Sequence, residues 1–74
     1  MGSTSKHHVE LAEVLEALEE PWIRRGPGNR YLAYGQTAAG RYLFIALSLR
    51  RGGVGQILSA RVMNDAERRR YQNR

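Results

Sequence analysis

One stretch of helical spacing and four stretches of alternation divide the chain. From Val9 to Glu19 the apolar residues Leu11, Val14, Leu15 and Leu18 recur at helical spacing, with Ala12 and Ala17 flanking them. Glu10, Glu13, Glu16, Glu19 and Glu20 occupy the remaining surface. The pattern predicts an amphipathic helix whose leucine-valine stripe faces a core. Thr4 or Ser5 would cap an early start. Pro21 ends the helix, because the residue before a proline is pushed out of the helical region.

After Pro21 the period falls to two. Trp22 to Arg25 reads as a short strand, Gly26-Pro27-Gly28-Asn29 excludes regular structure, and Arg30 to Gly35 reads as a second strand. Thr37-Ala38-Ala39-Gly40 predicts a tight reversal with Gly40 at positive φ. Arg41 to Leu49 places Leu43, Ile45 and Leu47 on one face and Tyr42, Phe44 and Ala46 on the other. A strand apolar on both faces belongs in the middle of a sheet, with cover on each side. Arg50-Arg51-Gly52-Gly53 is a hairpin connection to a fourth strand from Val54 to about Val62, with Gly55 as the candidate bulge.

Asn64-Asp65-Ala66-Glu67 has the form of a capping box opening a last helix. Asp65 and Glu67 suit the positive end of its dipole, and Arg68, Arg69, Arg70 and Arg74 lie toward the negative end. Its only apolar groups, Ala66 and Tyr71, stand about 140° apart, so it leans on the sheet through Tyr71 or awaits a partner. The expected fold is α+β in the order α-β-β-β-β-α. It has an antiparallel four-stranded meander, one helix packed on it and a short basic C-terminal helix at an edge or on the other side. Tyr42 and Phe44 would then be incompletely covered, which favours a homodimer or a protein partner.

Size and composition narrow this picture. The 74 residues form a single domain, 1–74, with residues 1–7 expected outside its folded part. A chain this short buries only about 60% of its unfolded surface. With no cysteine there is no disulfide or thiolate site to add stability, so the core or a partner must supply it. No apolar run approaches the ~20 residues of a membrane span, and the opening MGSTSKHH lacks the apolar region of a secretory signal. The expected location is the cytoplasm.

The net charge of +5 divides unevenly along the chain. Residues 1–20 carry Lys6 against five glutamates, a balance of −4; residues 21–74 carry eleven arginines against Asp65 and Glu67, a balance of +9. A basic body of this kind suits an anionic partner, either nucleic acid or an acidic protein. Arginine's planar fork favours bidentate contacts to phosphate or carboxylate. A genome that favours arginine codons would also contribute to the bias.

The last third carries the most specific signal. Gly40-Arg41-Tyr42-Leu43-Phe44-Ile45, then Ile57-Leu58-Ser59-Ala60-Arg61, then Met63-Asn64-Asp65-Ala66-Glu67-Arg68-Arg69-Arg70-Tyr71 resembles the BrnT family, small ribonuclease toxins of type II toxin–antitoxin pairs. The family pattern is a Gly-Arg-hydrophobic strand, an Ile-Ser-Ala-Arg strand end and a Met-Thr-x-x-Glu-Arg-x-x-Tyr helix. Asn64 stands where that pattern has threonine, a swap between two good caps. Lys6-His7-His8-Val9 is similar to a Lys-His-Gly segment of the family, and Glu20-Pro21 to an Asp-Pro. The family's opening Trp-Asp strand, with a lysine before the first helix, has no counterpart here. A shortened relative with altered or lost activity is therefore the second expectation.

The resemblance implies a RelE-like toxin fold, RNA cleavage and neutralisation by a small DNA-binding antitoxin. Metal-independent RNA cleavage needs a base for the 2′-hydroxyl, cationic donors for the phosphorane and an acid for the leaving oxygen. No carboxylate cluster or His/Cys spacing suits a metal, and no cofactor is expected. The acid–base candidates are His7, His8, Glu67 and Tyr71; the phosphate-binding candidates are Arg61, Arg41, Arg68, Arg69 and Arg70. Glu67 also has a complete explanation as a cap, Tyr71 as a hydrophobic anchor, and the histidines as solvent-exposed bystanders. Arg61 follows two small residues at a strand end, which lets its side chain cross an open surface. It is the first choice for a functional residue.

Overall fold

The computed structural model describes residues 9–49 and 55–74. The Thr4, Ser5, His7 and His8 assignments, the expectation for residues 1–7, and the Arg50-Arg51-Gly52-Gly53 connection lie outside the described residues. The elements are α1 (Leu11–Ala17), β1 (Trp22–Arg25), β2 (Arg30–Gln36), β3 (Tyr42–Leu49), β4 (Gly55–Val62) and α2 (Asp65–Gln72). The strands form one sheet in the order β1-β2-β3-β4, every neighbouring pair antiparallel. This is the expected α-β-β-β-β-α meander.

The two faces of β3 organise the molecule. Leu43 and Ile45 are completely buried on one face, with Ala33 beside them and Val14 and Ala17 of α1 above. At roughly 1.5–3 kcal/mol for each fully buried aliphatic side chain, this cluster is the main source of stability. Tyr42 and Phe44 point to the opposite face, where Tyr34, Trp22 and Leu32 join them and α2 adds Tyr71, with Met63 just before it. The last helix therefore docks on the face that α1 leaves bare. As its poor amphipathicity predicts, Tyr71 is its buried residue, and Ala66 is exposed.

The α1 stripe differs from the expectation. Val14 and Ala17 are buried, while Leu11 and Leu15 are 66% and 56% exposed. The cause is a close approach to β2: a Cβ placed on Gly35 would lie 2.2 Å from the carbonyl oxygen of Ala17. Seating a helix this close requires small residues at the contact, so Ala17 and not a leucine faces the sheet, and the helix rotates accordingly. Glu10 stands at the N-cap position, and its N–H donates to Glu13 Oε1 at 3.1 Å.

Two further details position the strands. Gly40 takes φ 95°, as expected, and closes the β2–β3 reversal, in which the buried Thr37 accepts from the Arg41 N–H at 3.0 Å. The bulge lies not at Gly55 but at Leu58. Ser59 pairs with Ala46 and Ile57 with Leu47, so Leu58 is the extra residue. Gly55 itself pairs with Leu49 in the regular ladder.

Candidate nucleic-acid interface

Register alone builds a row across all four strands. Trp22 lies opposite Tyr34, Tyr34 opposite Phe44, and Phe44 opposite Arg61. Because side chains alternate along each strand, all four project from the face that carries α2. The rings make contact in turn: Trp22–Tyr34 centroids are 4.9 Å apart, and Tyr34–Phe44 are 5.2 Å apart in an edge-to-face arrangement. The Arg61 guanidinium completes the row, its central carbon 4.5 Å from the Phe44 centroid. At the other end Arg24 covers Trp22 at 5.0 Å. Arg24 and Arg30 share this face, with Leu32, Ala46, Ser48 and Ser59 between them and Arg61 by register. The result is a platform on which Trp22 and Phe44 are half-buried, Tyr34 between them is buried at 2% exposure, and three arginines stand at the border.

Arg61 is held from the side by α2. Its Nη1 and Nη2 donate to Glu67 Oε1 and Oε2 at 2.8 and 2.7 Å, and Nη1 also donates to the Val62 carbonyl at 3.2 Å. Glu67 Oε1 additionally accepts from the Asn64 N–H at 2.9 Å, while Asn64 Oδ1 accepts from the Glu67 N–H at 2.8 Å. The expected capping box is thus formed, and its glutamate doubles as the clamp on Arg61. Hydrogen bonds from Arg61 hold the Glu67 carboxyl below the usual carboxylate range, against a smaller opposing effect of burial. The same bond raises Arg61 above the ordinary arginine value.

Donor counting shows what remains. A guanidinium has five N–H groups. Glu67 takes two through the end of the fork and Val62 takes a third. The two left are Nε–H and the second Nη2–H, a parallel pair along one edge of the plane. That pair matches two oxygens of a phosphate or carboxylate. The Arg61 side chain is 49% exposed, against 13% for Glu67. The clamp therefore fixes the cation without consuming it.

The other sequence candidates separate from this centre. Arg41 donates from Nη1 to both oxygens of Glu13, at 2.8 and 2.7 Å, and so ties β3 to α1. Tyr71 is 8% exposed and stacks edge-to-face on Tyr42 with centroids 5.9 Å apart, which is the anchoring role. Arg68 pairs with Asp65 at 3.3 Å and lies 5.5 Å over the Tyr42 ring, at the edge of the platform. Arg69 and Arg70 are exposed in the last turn of α2, where cations suit the dipole. His8 lies outside the described residues. Among the described acid–base and phosphate candidates, Arg61 and Glu67 meet directly.

Trp22, Tyr34, Arg24 and Arg30 were not among the sequence candidates. Their signal was the period-two alternation of Trp22 with Arg24 and of Arg30, Leu32 and Tyr34, which reveals a shared face only once the register is known. A cleft of about 450 Å³ opens elsewhere, lined by Glu16, Glu19, Glu20, Gln36, Thr37, Ala38 and Tyr71. Its three glutamates make it unfavourable for phosphate. Among the described residues no group of three or more His, Cys, Asp or Glu is placed to hold a metal, and no helix is long and apolar enough to cross a membrane.

No protein-family model, curated protein or solved structure matches the chain.

Proposed function

We infer that the chain is an RNA-binding protein of the toxin kind. The half-buried rings of Trp22 and Phe44 accept unstacked bases, and Arg61 holds the phosphate between them. The supporting observation is the donor count at Arg61: a stacked, clamped guanidinium that keeps a parallel N–H pair for an anion. Single-stranded nucleic acid is commonly held by aromatic faces bordered by cations, each stacked base contributing roughly 1–3 kcal/mol. The eleven arginines supply the surrounding field. On this reading the protein is the toxin of a type II toxin–antitoxin pair with a RelE-like fold. Arg61 stabilises the phosphorane during metal-independent cleavage, and Glu67, beside it, is the group that takes the 2′-hydroxyl proton. A small DNA-binding antitoxin would cover the same face.

A second reading, binding without cleavage, draws on a separate observation. Both Glu67 oxygens are occupied by hydrogen bonds and its carboxyl is held low, which makes it a weak base, and Tyr71 is buried as an anchor. Incubation of the pure protein with single-stranded RNA separates the two. The first reading expects cleavage that falls by about a hundredfold or more in Glu67→Gln while binding persists. Binding with no cleavage by wild type supports the second. If neither occurs at low salt, both fail.

A further inference from the structure

The two edges of the sheet are protected very unequally. β1 is four residues long, carries Arg24 and Arg25, and is framed by Pro21 and by Gly26-Pro27. Short length, charge and proline are the usual devices that keep a strand edge from pairing. β4 is twice as long, carries no proline and only one charge, and exposes Ile57 and Leu58 at 41% and 43%. Its outer edge pairs with no other strand among the described residues. Besides the single charge of Arg61, the Leu58 bulge is the feature on it that ordinarily discourages pairing.

Here the bulge has the opposite effect. An eight-residue strand with strict alternation is not self-complementary over its full length: a two-fold antiparallel copy sets each residue opposite one that points to the other face. The extra residue at Leu58 shifts the phase halfway along. From the pairing with β3, Gly55, Ile57, Ala60 and Val62 belong to the α1 face, and Gln56, Ser59 and Arg61 to the platform face. Read backwards, the order of faces is the same.

We propose that β4 pairs with β4 of a second copy of this chain, in the full-length two-fold register that sets Gly55 opposite Val62. In that register Ile57 faces Ala60 of the second copy, Leu58 faces Ser59, and Gln56 faces Arg61, so no like charges meet. The two-fold axis stands perpendicular to the sheet. Both platforms therefore lie on the same side of one eight-stranded sheet, with the two Arg61 Cα positions about 17 Å apart at roughly 3.3 Å per residue and 4.8 Å between strands. The pairing stands on strand geometry alone and is independent of the RNA reading.

The test uses the full chain, which contains no cysteine. Sedimentation equilibrium is expected to give a dimer mass at micromolar concentration, and Leu58→Lys to weaken association at least tenfold. Circular dichroism serves as the folding check, since Leu58 is an exposed position. Ile57→Cys and Ala60→Cys, each made singly, give a second readout. A disulfide should form when the two variants are mixed and oxidised, and not in either alone. Like residues in this register are about 10 Å apart along the strand, beyond the ~7 Å Cα separation that a disulfide spans. A monomer at every concentration overturns the proposal, as does cross-linking within a single variant equal to that of the mixture.

Discussion

Replacing Arg61 by lysine isolates the feature on which the RNA interface depends. The substitution keeps the charge and most of the aliphatic stem but removes the planar fork. Arginine grips Glu67 with two donors and still presents Nε–H and Nη2–H as a parallel pair. An ammonium has three donors at one point, and a carboxylate that holds it leaves no parallel pair for a phosphate. Hydrogen bonds between charged groups contribute about 1.5–3 kcal/mol each. Because the side chain is 49% exposed, the lower end applies, and losing one bond of the pair costs about 1.4 kcal/mol, or tenfold in affinity. Stacking on Phe44 is lost as well, which acts in the same direction. Fluorescence anisotropy with a labelled single-stranded RNA, read between about 50 and 200 mM salt, measures both affinity and its salt slope. Arg61→Lys should weaken binding about tenfold with an unchanged slope. Arg61→Ala should weaken it further and reduce the slope by about 0.7, the value for one single-strand phosphate contact. Equal affinity of wild type and Arg61→Lys would refute the claim that the free edge of the guanidinium contacts phosphate.

Four other outcomes follow from the packing and electrostatics. Glu67→Gln keeps an oxygen for the Asn64 N–H but loses the ion pair, so thermal melts should fall by only about 2–6 °C, the equivalent of roughly 0.5–1 kcal/mol. The pH dependence has a definite sign. Glu67 is depressed in the folded state, so its contribution is complete above the ordinary carboxylate value near ~4.3 and is lost as pH falls through the lower folded value; melts from about pH 6 to pH 3 should show this loss in wild type and not in Glu67→Gln. Gly35→Ala should destabilise by about 3 kcal/mol or more in denaturant titrations, because the new Cβ would stand 2.2 Å from a backbone oxygen that cannot move without shifting α1. Arg41→Ala should lower the melting temperature while changing RNA affinity less than Arg61→Ala does, since Arg41 is engaged with Glu13 on α1.

Much of the architecture was legible in the sequence because its signals were local. Proline and glycine punctuation separated α1, β1 and β2, and the two-sided apolar run of β3 required cover on both faces. The capping box at Asn64 and Glu67 was readable from spacing alone. What escaped was set by contacts between distant segments. Which side of α1 faces the sheet is decided by Gly35 meeting Ala17, and nothing in the helix's own periodicity shows that Leu11 and Leu15 will be left outside. The bulge at Leu58 falls where the β3–β4 ladder loses register, not at the glycine that intrinsic preference singled out. At the site, Arg61 was recognisable from its position after Ser59 and Ala60, and Glu67 from its place in the cap. Their partnership was not, because it joins a strand end to a helix start across six residues of chain. The aromatic row was hidden for the same reason: each of its four members sits on a different strand.

The most direct measurement is the side-chain Nε–H resonance of Arg61, followed by nuclear magnetic resonance as single-stranded RNA is added. The account predicts that this signal shifts together with the Trp22 indole N–H, while the Arg41 Nε–H stays in place. Movement at Arg41 with Arg61 unchanged, or no shift at any arginine under low-salt conditions, would contradict it.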